Sequence, residues 1–165
     1  MTRPARDGAT LMCVTSSHYV EPGWFTRNVF NRGVALLTRA GVSVWGSRVL
    51  RVRGRKTGEL RETPVNLLTY DGARYLVAPR GVTQWVRNLR AAGGGELALG
   101  RAVEPFRAIE VADEQKLDIL RAYLKRWKFE VGAFFDGVSA DSAVEEFQRI
   151  AGQHPVFRIE TTEPS

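Results

Sequence analysis

The pair Asp71-Gly72 stands between two stretches of alternating side chains, and it constrains this chain more than any other feature. Residues 61–70 read as a strand, with Val65, Leu67 and Thr69 on one face and Asn66, Leu68 and Tyr70 on the other. Residues 74–78 read as the returning strand. Asp-Gly accepts the positive φ angles of a two-residue hairpin turn, so the two strands should be antiparallel neighbours. Pro79 and Gly81 break the second strand. Upstream, residues 48–53 read as a strand that runs into the glycine-bounded turn Gly54 to Gly58. Downstream, residues 96–99 and 102–111 form another predicted hairpin about Gly100-Arg101, and residues 155–160 a last strand.

Helical spacing appears on either side of these strands. Pro22 suits the first turn of a helix that carries Phe25, Val29, Leu36 and Leu37, with Gly41 to end it. Residues 85–92 read as a short helix closed by Gly93-Gly94-Gly95. Asp113 is the expected N-cap of a helix with Leu117, Leu120, Leu124 and Trp127 on one face. Ser142-x-x-Glu145 has capping-box spacing for a helix carrying Val144, Phe147 and Ile150. Residues 1–21 show no period and read as a loose arm, and residues 22–165 as a single domain. Five or six short antiparallel strands with peripheral helices predict a small α+β barrel. A length of 165 residues is ample for one such domain.

Several function classes recede on composition. Cys13 is the only cysteine, so no intramolecular disulfide forms, and one cysteine with His18 and His154 gives no metal-ligand spacing; no metal is expected. Neither histidine neighbours a nucleophile or carboxylate at triad spacing, and core or surface roles are the better reading. No apolar run reaches the ~18 residues of a membrane span. No secretory signal is evident, which predicts a cytoplasmic protein with the membrane surface as an addition. The net charge of +6 is concentrated: Arg48, Arg51, Arg53, Arg55, Lys56 and Arg61 lie close together with Glu59 the one acid among them. Nucleic-acid binders interleave such clusters with exposed aromatics or a docking motif, and neither is present, so nucleic acid is not the expected partner.

Two motifs can carry chemistry. In the turn Gly54-Arg55-Lys56-Thr57-Gly58, glycines allow a tight turn with exposed amides, and Arg55, Lys56 and the nearby Arg61 suit a phosphate or carboxylate. A solvated hairpin tip is the plainer explanation of the same residues. In Trp85-Val86-Arg87-Asn88-Leu89-Arg90, helical spacing puts Trp85, Asn88 and Leu89 on one face. A tryptophan beside an asparagine can flank a planar heterocycle, or it can simply pack in a core. The Trp127, Phe129, Phe134 and Phe135 group divides evenly between core and the wall of an apolar pocket.

In series these motifs become specific. Gly54-Arg55-Lys56-Thr57-Gly58-x-x-Arg61-x-x-Pro64, then Val77-Ala78-Pro79-Arg80-Gly81, then Trp85-x-x-Asn88-Leu89-x-Ala91 resemble the deazaflavin-dependent nitroreductase family, a branch of the flavin/deazaflavin oxidoreductases with a split β-barrel fold. The resemblance covers residues 22–111, with His154-Pro155-Val156-Phe157 as a final strand. It implies an 8-hydroxy-5-deazaflavin coenzyme of the F420 type, with a phosphodiester and an oligoglutamate tail. By the same resemblance Arg55, Lys56 and Thr57 match the phosphate and tail region. Arg61, Thr63, Pro64, Val65 and Asn66 match the strand along the cofactor. Val77, Ala78, Pro79 and Arg80 match the segment that meets the ring. Gln84, Trp85, Val86, Arg87 and Asn88 match the helix start that closes the site.

The implied reaction is hydride transfer from the reduced deazaflavin to an apolar unsaturated or nitro-type small molecule. The cofactor supplies that chemistry and no catalytic side chain is assigned. The sequence departs from the family pattern in two places. Pro79-Arg80 replaces Ser-Lys, removing a hydroxyl and an amide hydrogen. Phe134 and Phe135, weak candidates for a substrate pocket, stand where the nitroimidazole-reducing member has tyrosines. Two other readings stay open: a split-barrel oxidoreductase using FMN, and a non-enzymatic cofactor carrier or membrane-surface protein. For the second, Trp24, Phe25, Phe30, Arg27 and Arg32 give an amphipathic N-terminal helix suited to anionic lipid. Monomer and homodimer are both consistent with the sequence.

Overall fold

A computed structural model describes residues 46–162. The predicted arm over 1–21 and the helix from Pro22 lie outside the described residues, as does His18. Six strands form a closed antiparallel barrel: β1 (Ser47–Arg53), β2 (Leu60–Tyr70), β3 (Ala73–Val77), β4 (Gly94–Leu99), β5 (Ala102–Glu110) and β6 (Val156–Thr161), in the order β1-β2-β3-β6-β5-β4. Three helices accompany them among the described residues: α1 (Gln84–Ala92), α2 (Leu117–Val131) and α3 (Val144–Ala151). The fold is an α+β split barrel.

The turn chemistry sets the local pairing. Asp71 and Gly72 adopt φ of 47° and 71°, and Tyr70 pairs with Ala73, as a two-residue hairpin requires. The glycine triplet divides its work. Gly93 closes α1 in a left-handed conformation, and Gly94 and Gly95 already belong to β4. A Cβ on Gly94 would overlap the Phe106 carbonyl, and one on Gly95 the Arg51 carbonyl. The predicted strand from 96 therefore begins two residues earlier, at the point where β4 is pressed between β1 and β5.

Alternation then builds the core. Leu50 pairs with Leu97, Leu67 with Leu76, and Leu76 with Phe157, so these side chains all point into the barrel. Each contributes roughly 1.5–3 kcal/mol through burial. A second core lies outside the barrel, where α2 and α3 lay Tyr123, Leu124, Trp127, Phe147 and Ile150 over Leu68, Val77 and Val156. His154 belongs to this region: it is fully buried, stacked 4.1 Å from the Phe135 ring, with Nδ1 3.4 Å from the Ala78 carbonyl.

Both predicted helix caps are corrected. Asp113 opens a short 3-10 turn (Asp113–Gln115), and α2 starts only at Leu117. Its carboxylate accepts from Lys116 Nζ at 2.5 Å, and the same ammonium donates to the Ala151 carbonyl at the end of α3, 2.9 Å away. Ser142 does not cap α3 either; its Oγ accepts from the Ser139 amide at 3.0 Å. In the first case the carboxylate is taken by a lysine three residues on that is itself anchored to a carbonyl distant in sequence, and in the second the hydroxyl is taken by a loop amide. Lys116 is only 3% exposed, so its bonds should matter. Lys116→Met keeps the packing and removes the donors; urea denaturation should show a loss of about 2 kcal/mol. An unchanged midpoint would rule out this tie as a stabilising element.

The barrel mouth opposite α1 is plugged by charge. Arg74 donates to both Glu104 oxygens at 2.9 and 2.5 Å, and the Thr161 hydroxyl donates to the same carboxylate at 2.7 Å. The Arg74 bonds hold the Glu104 carboxyl at about 2, well below its usual 4.5, against the opposing effect of burial. A depressed folded-state value adds stability that is full above pH 4.5 and lost as pH falls toward 2. Thermal melts of Glu104→Gln should therefore show a flatter decline across that acid window than the parent chain. An equal decline would mean that other carboxylates dominate.

Candidate functional site

The turn between β1 and β2 stands beside α1 at the other mouth. Its backbone is held by Gly58 N donating to the Gly54 carbonyl and Gly54 N donating to the Glu59 carbonyl, both at 2.8 Å. Thr57 Oγ1 accepts from the Glu59 amide at 3.3 Å. The turn is tied to α1 through Asn88 and Gln84. Asn88 is 6% exposed, and its Oδ1 accepts from the Arg55 backbone amide at 3.2 Å and from the Arg55 guanidinium at 3.1 Å. Arg55 also donates to Gln84 Oε1 at 2.9 Å.

These contacts frame a cleft of about 410 Å³. Of the residues anticipated from sequence, Arg55, Lys56, Thr57, Arg61, Thr63, Gln84, Trp85 and Asn88 line it. Its floor is apolar. Leu50 and Val52 share one face of β1, directly across the register from Thr63 and Arg61. Trp85 adds a ring that is tilted against Phe157 at 6.0 Å. The rim is cationic and partly occupied internally: Arg61 pairs with exposed Glu59 at 2.8 Å, and Glu62, which also lines the cleft, is held by Arg51 from outside it at 3.0 Å. Lys56 has no ion pair among the described residues.

The remaining candidates lie elsewhere. Pro64 and Val65 continue β2 beyond the cleft, and Asn66 donates to Glu130 of α2 at 3.2 Å. Val77 and Ala78 are buried at the end of β3, where the Ala78 amide donates to the Pro155 carbonyl. Pro79 and Arg80 are half-buried, and the Arg80 guanidinium lies 5.0 Å from the centre of the Phe134 ring. Val86 is buried in the barrel core and Arg87 is exposed on the opposite side of α1. Phe135 is fully buried in the core beside Tyr123 and His154. Phe129, read with that aromatic group, is 98% exposed and belongs to no core. The sequence reading missed Leu50, Val52 and Glu62 as cleft residues. The alternation of β1 could have found the first two.

Among the described residues no group of three or more His, Cys, Asp or Glu gathers as a metal site. No described helix is long and apolar enough to cross a membrane. The sequence pattern of the F420H2-dependent quinone reductases matches residues 26–131, spanning both walls of the cleft. The chain belongs to that family. It is therefore a deazaflavin-dependent reductase by family, and the family's cofactor is the reduced coenzyme F420. No curated protein sequence matches it. Among solved structures, an F420-H2 dependent reductase is 18% identical with a TM-score of 0.50, covering 70% of this chain and 94% of the other. A protein described as a domain-swapped dimer is 17% identical with a TM-score of 0.53, covering 78% and 94%. A protein of unknown function from Agrobacterium tumefaciens is 13% identical with a TM-score of 0.52, covering 87% and 58%. At these identities the likeness speaks for the fold alone.

Proposed function

We propose that this reductase binds its deazaflavin coenzyme in the cleft between the 54–59 turn and α1, and passes a hydride to an apolar quinone-like, unsaturated or nitro-type small molecule. The observation that carries this reading is the convergence of Arg55, Lys56, Thr57 and Arg61 with Gln84, Trp85 and Asn88 around one apolar floor. A cationic rim over Leu50, Val52 and Trp85 fits a molecule that is polyanionic at one end and flat at the other.

When bound, the coenzyme supplies a hydride. The chain's own contributions are binding and exclusion of water. Lys56 and Arg61 neutralise phosphate and tail carboxylates. Asn88 holds Arg55 toward the cleft. Trp85, Leu50 and Val52 present a dry surface.

The test is a fluorescence titration of the reduced coenzyme with the full chain, followed by anaerobic turnover with a quinone and a nitroaromatic compared side by side. Micromolar binding and faster quinone reduction are expected. Absence of binding would remove the cofactor assignment, and tighter binding of FMN than of the deazaflavin would replace it.

A further inference from the structure

Phe129 stands almost entirely in water, at 98% exposure, on the last turn of α2. Two residues earlier, Trp127 departs from helical geometry at φ −121° and ψ 25° while its ring stays buried. Beside Phe129 lies a second cavity of about 370 Å³, whose wall includes the buried apolar side chains of Leu124 and Val138. Lys128 shares its rim. Lys125 is exposed on the same turns, and so is Arg126, whose guanidinium lies 4.9 Å from the centre of the Trp127 ring. Neither Lys125 nor Lys128 has an ion pair among the described residues. Of the nearby acids, Glu130 accepts from Asn66 on β2 at 3.2 Å, and Asp136 is exposed next to Gly137 at the far side of the cavity. An aromatic ring held in water among cations, over an apolar hollow, is a surface without a described partner.

We infer that this end of α2 docks on an anionic lipid surface, with Phe129 inserted at the headgroup boundary and Lys125 and Lys128 facing the acidic headgroups. Charge decides among occupants. A symmetric contact with a second copy would set these lysines against their own counterparts. An anionic bilayer instead complements them, and lysine stems can lie along the apolar boundary while their ammonium groups reach headgroups. The contact stands independently of the cofactor cleft, which lies at the turn and α1 rather than on α2.

The experiment is co-sedimentation of the full chain with vesicles of phosphatidylcholine alone or mixed with phosphatidylglycerol. Binding to the mixed vesicles is expected, weakening at high salt. Phe129→Ser should reduce partitioning roughly tenfold, the loss of one inserted aromatic. The pair Lys125→Glu with Lys128→Glu should reduce it by at least as much, and abolish the preference for the acidic lipid. Thermal melts and coenzyme titrations of both variants serve as folding controls and should match the parent. Equal vesicle binding by parent and variants would overturn the proposal and move the contact to another part of the chain. So would no binding by the parent, or a dimer that Phe129→Ser dissociates in analytical ultracentrifugation.

Discussion

Replacing Lys56 with glutamate should weaken binding of the reduced deazaflavin by roughly 30- to 150-fold at low salt. The estimate follows from the charge. A change of two units at about 4 Å from a coenzyme oxyanion is worth about 1 kcal/mol per unit in bulk water and up to about 4 at a protein surface. An exposed side chain lies near the lower end, so about 2–3 kcal/mol is expected, which is that range of affinity. Lys56 is the choice because Arg51, Arg55 and Arg61 already have internal partners, while Lys56 has no ion pair among the described residues. The effect should shrink as salt rises, since the interaction is screened over about 10 Å at 0.1 M and about 3 Å at 1 M. Fluorescence titrations at several salt concentrations measure both. Equal affinity for parent and variant would place the tail away from this turn.

The second large effect concerns coupling. Asn88 spends one carbonyl oxygen on two donors of the same residue, the amide and the guanidinium of Arg55. If it acts by positioning, Asn88→Ala and Arg55→Ala should each cost about 1–2 kcal/mol of coenzyme affinity. The double variant should cost hardly more than Arg55→Ala alone. The coupling energy would then equal the Asn88→Ala loss, about 1–2 kcal/mol, within the range seen for residues in one hydrogen-bond network. The salt dependence should separate this role from a general loss of structure, because both single variants remove the same oriented cation and so lower the salt slope alike. Additive losses would mean that Asn88 meets the coenzyme, or supports the helix, without Arg55.

Much of the barrel is legible in the sequence because its information is local. Asp71-Gly72 and Gly100-Arg101 carry their turns in two residues, and the alternation around them says which side chains share a face. The cationic turn is legible for the same reason. The helix starts were harder. Asp113 and Ser142 are good caps by type, yet Lys116 draws Asp113 into a tie with Ala151, and Ser142 serves the Ser139 amide. Capping preference is worth about 1 kcal/mol, and one charged bond across the fold exceeds it. The aromatic group shows the same limit. Phe134 and Phe135 are neighbours of one type, and a single residue of rotation leaves one half-buried under Arg80 and seals the other against His154.

The sequence alone determined the antiparallel hairpins, the basic glycine-bounded turn and, through spaced motifs, the deazaflavin family, since each of these lies within a few consecutive residues. Closure was decided only in three dimensions. The β1–β4 and β3–β6 pairings join strands separated by dozens of residues, and no local pattern states which partner a strand edge will take. That closure brings α1 against the 54–59 turn, converts Leu50 and Val52 into the floor of a cleft, and sets Asn88 against Arg55. Side-chain type can propose an anion site; the long-range pairing of the barrel decides which groups share it.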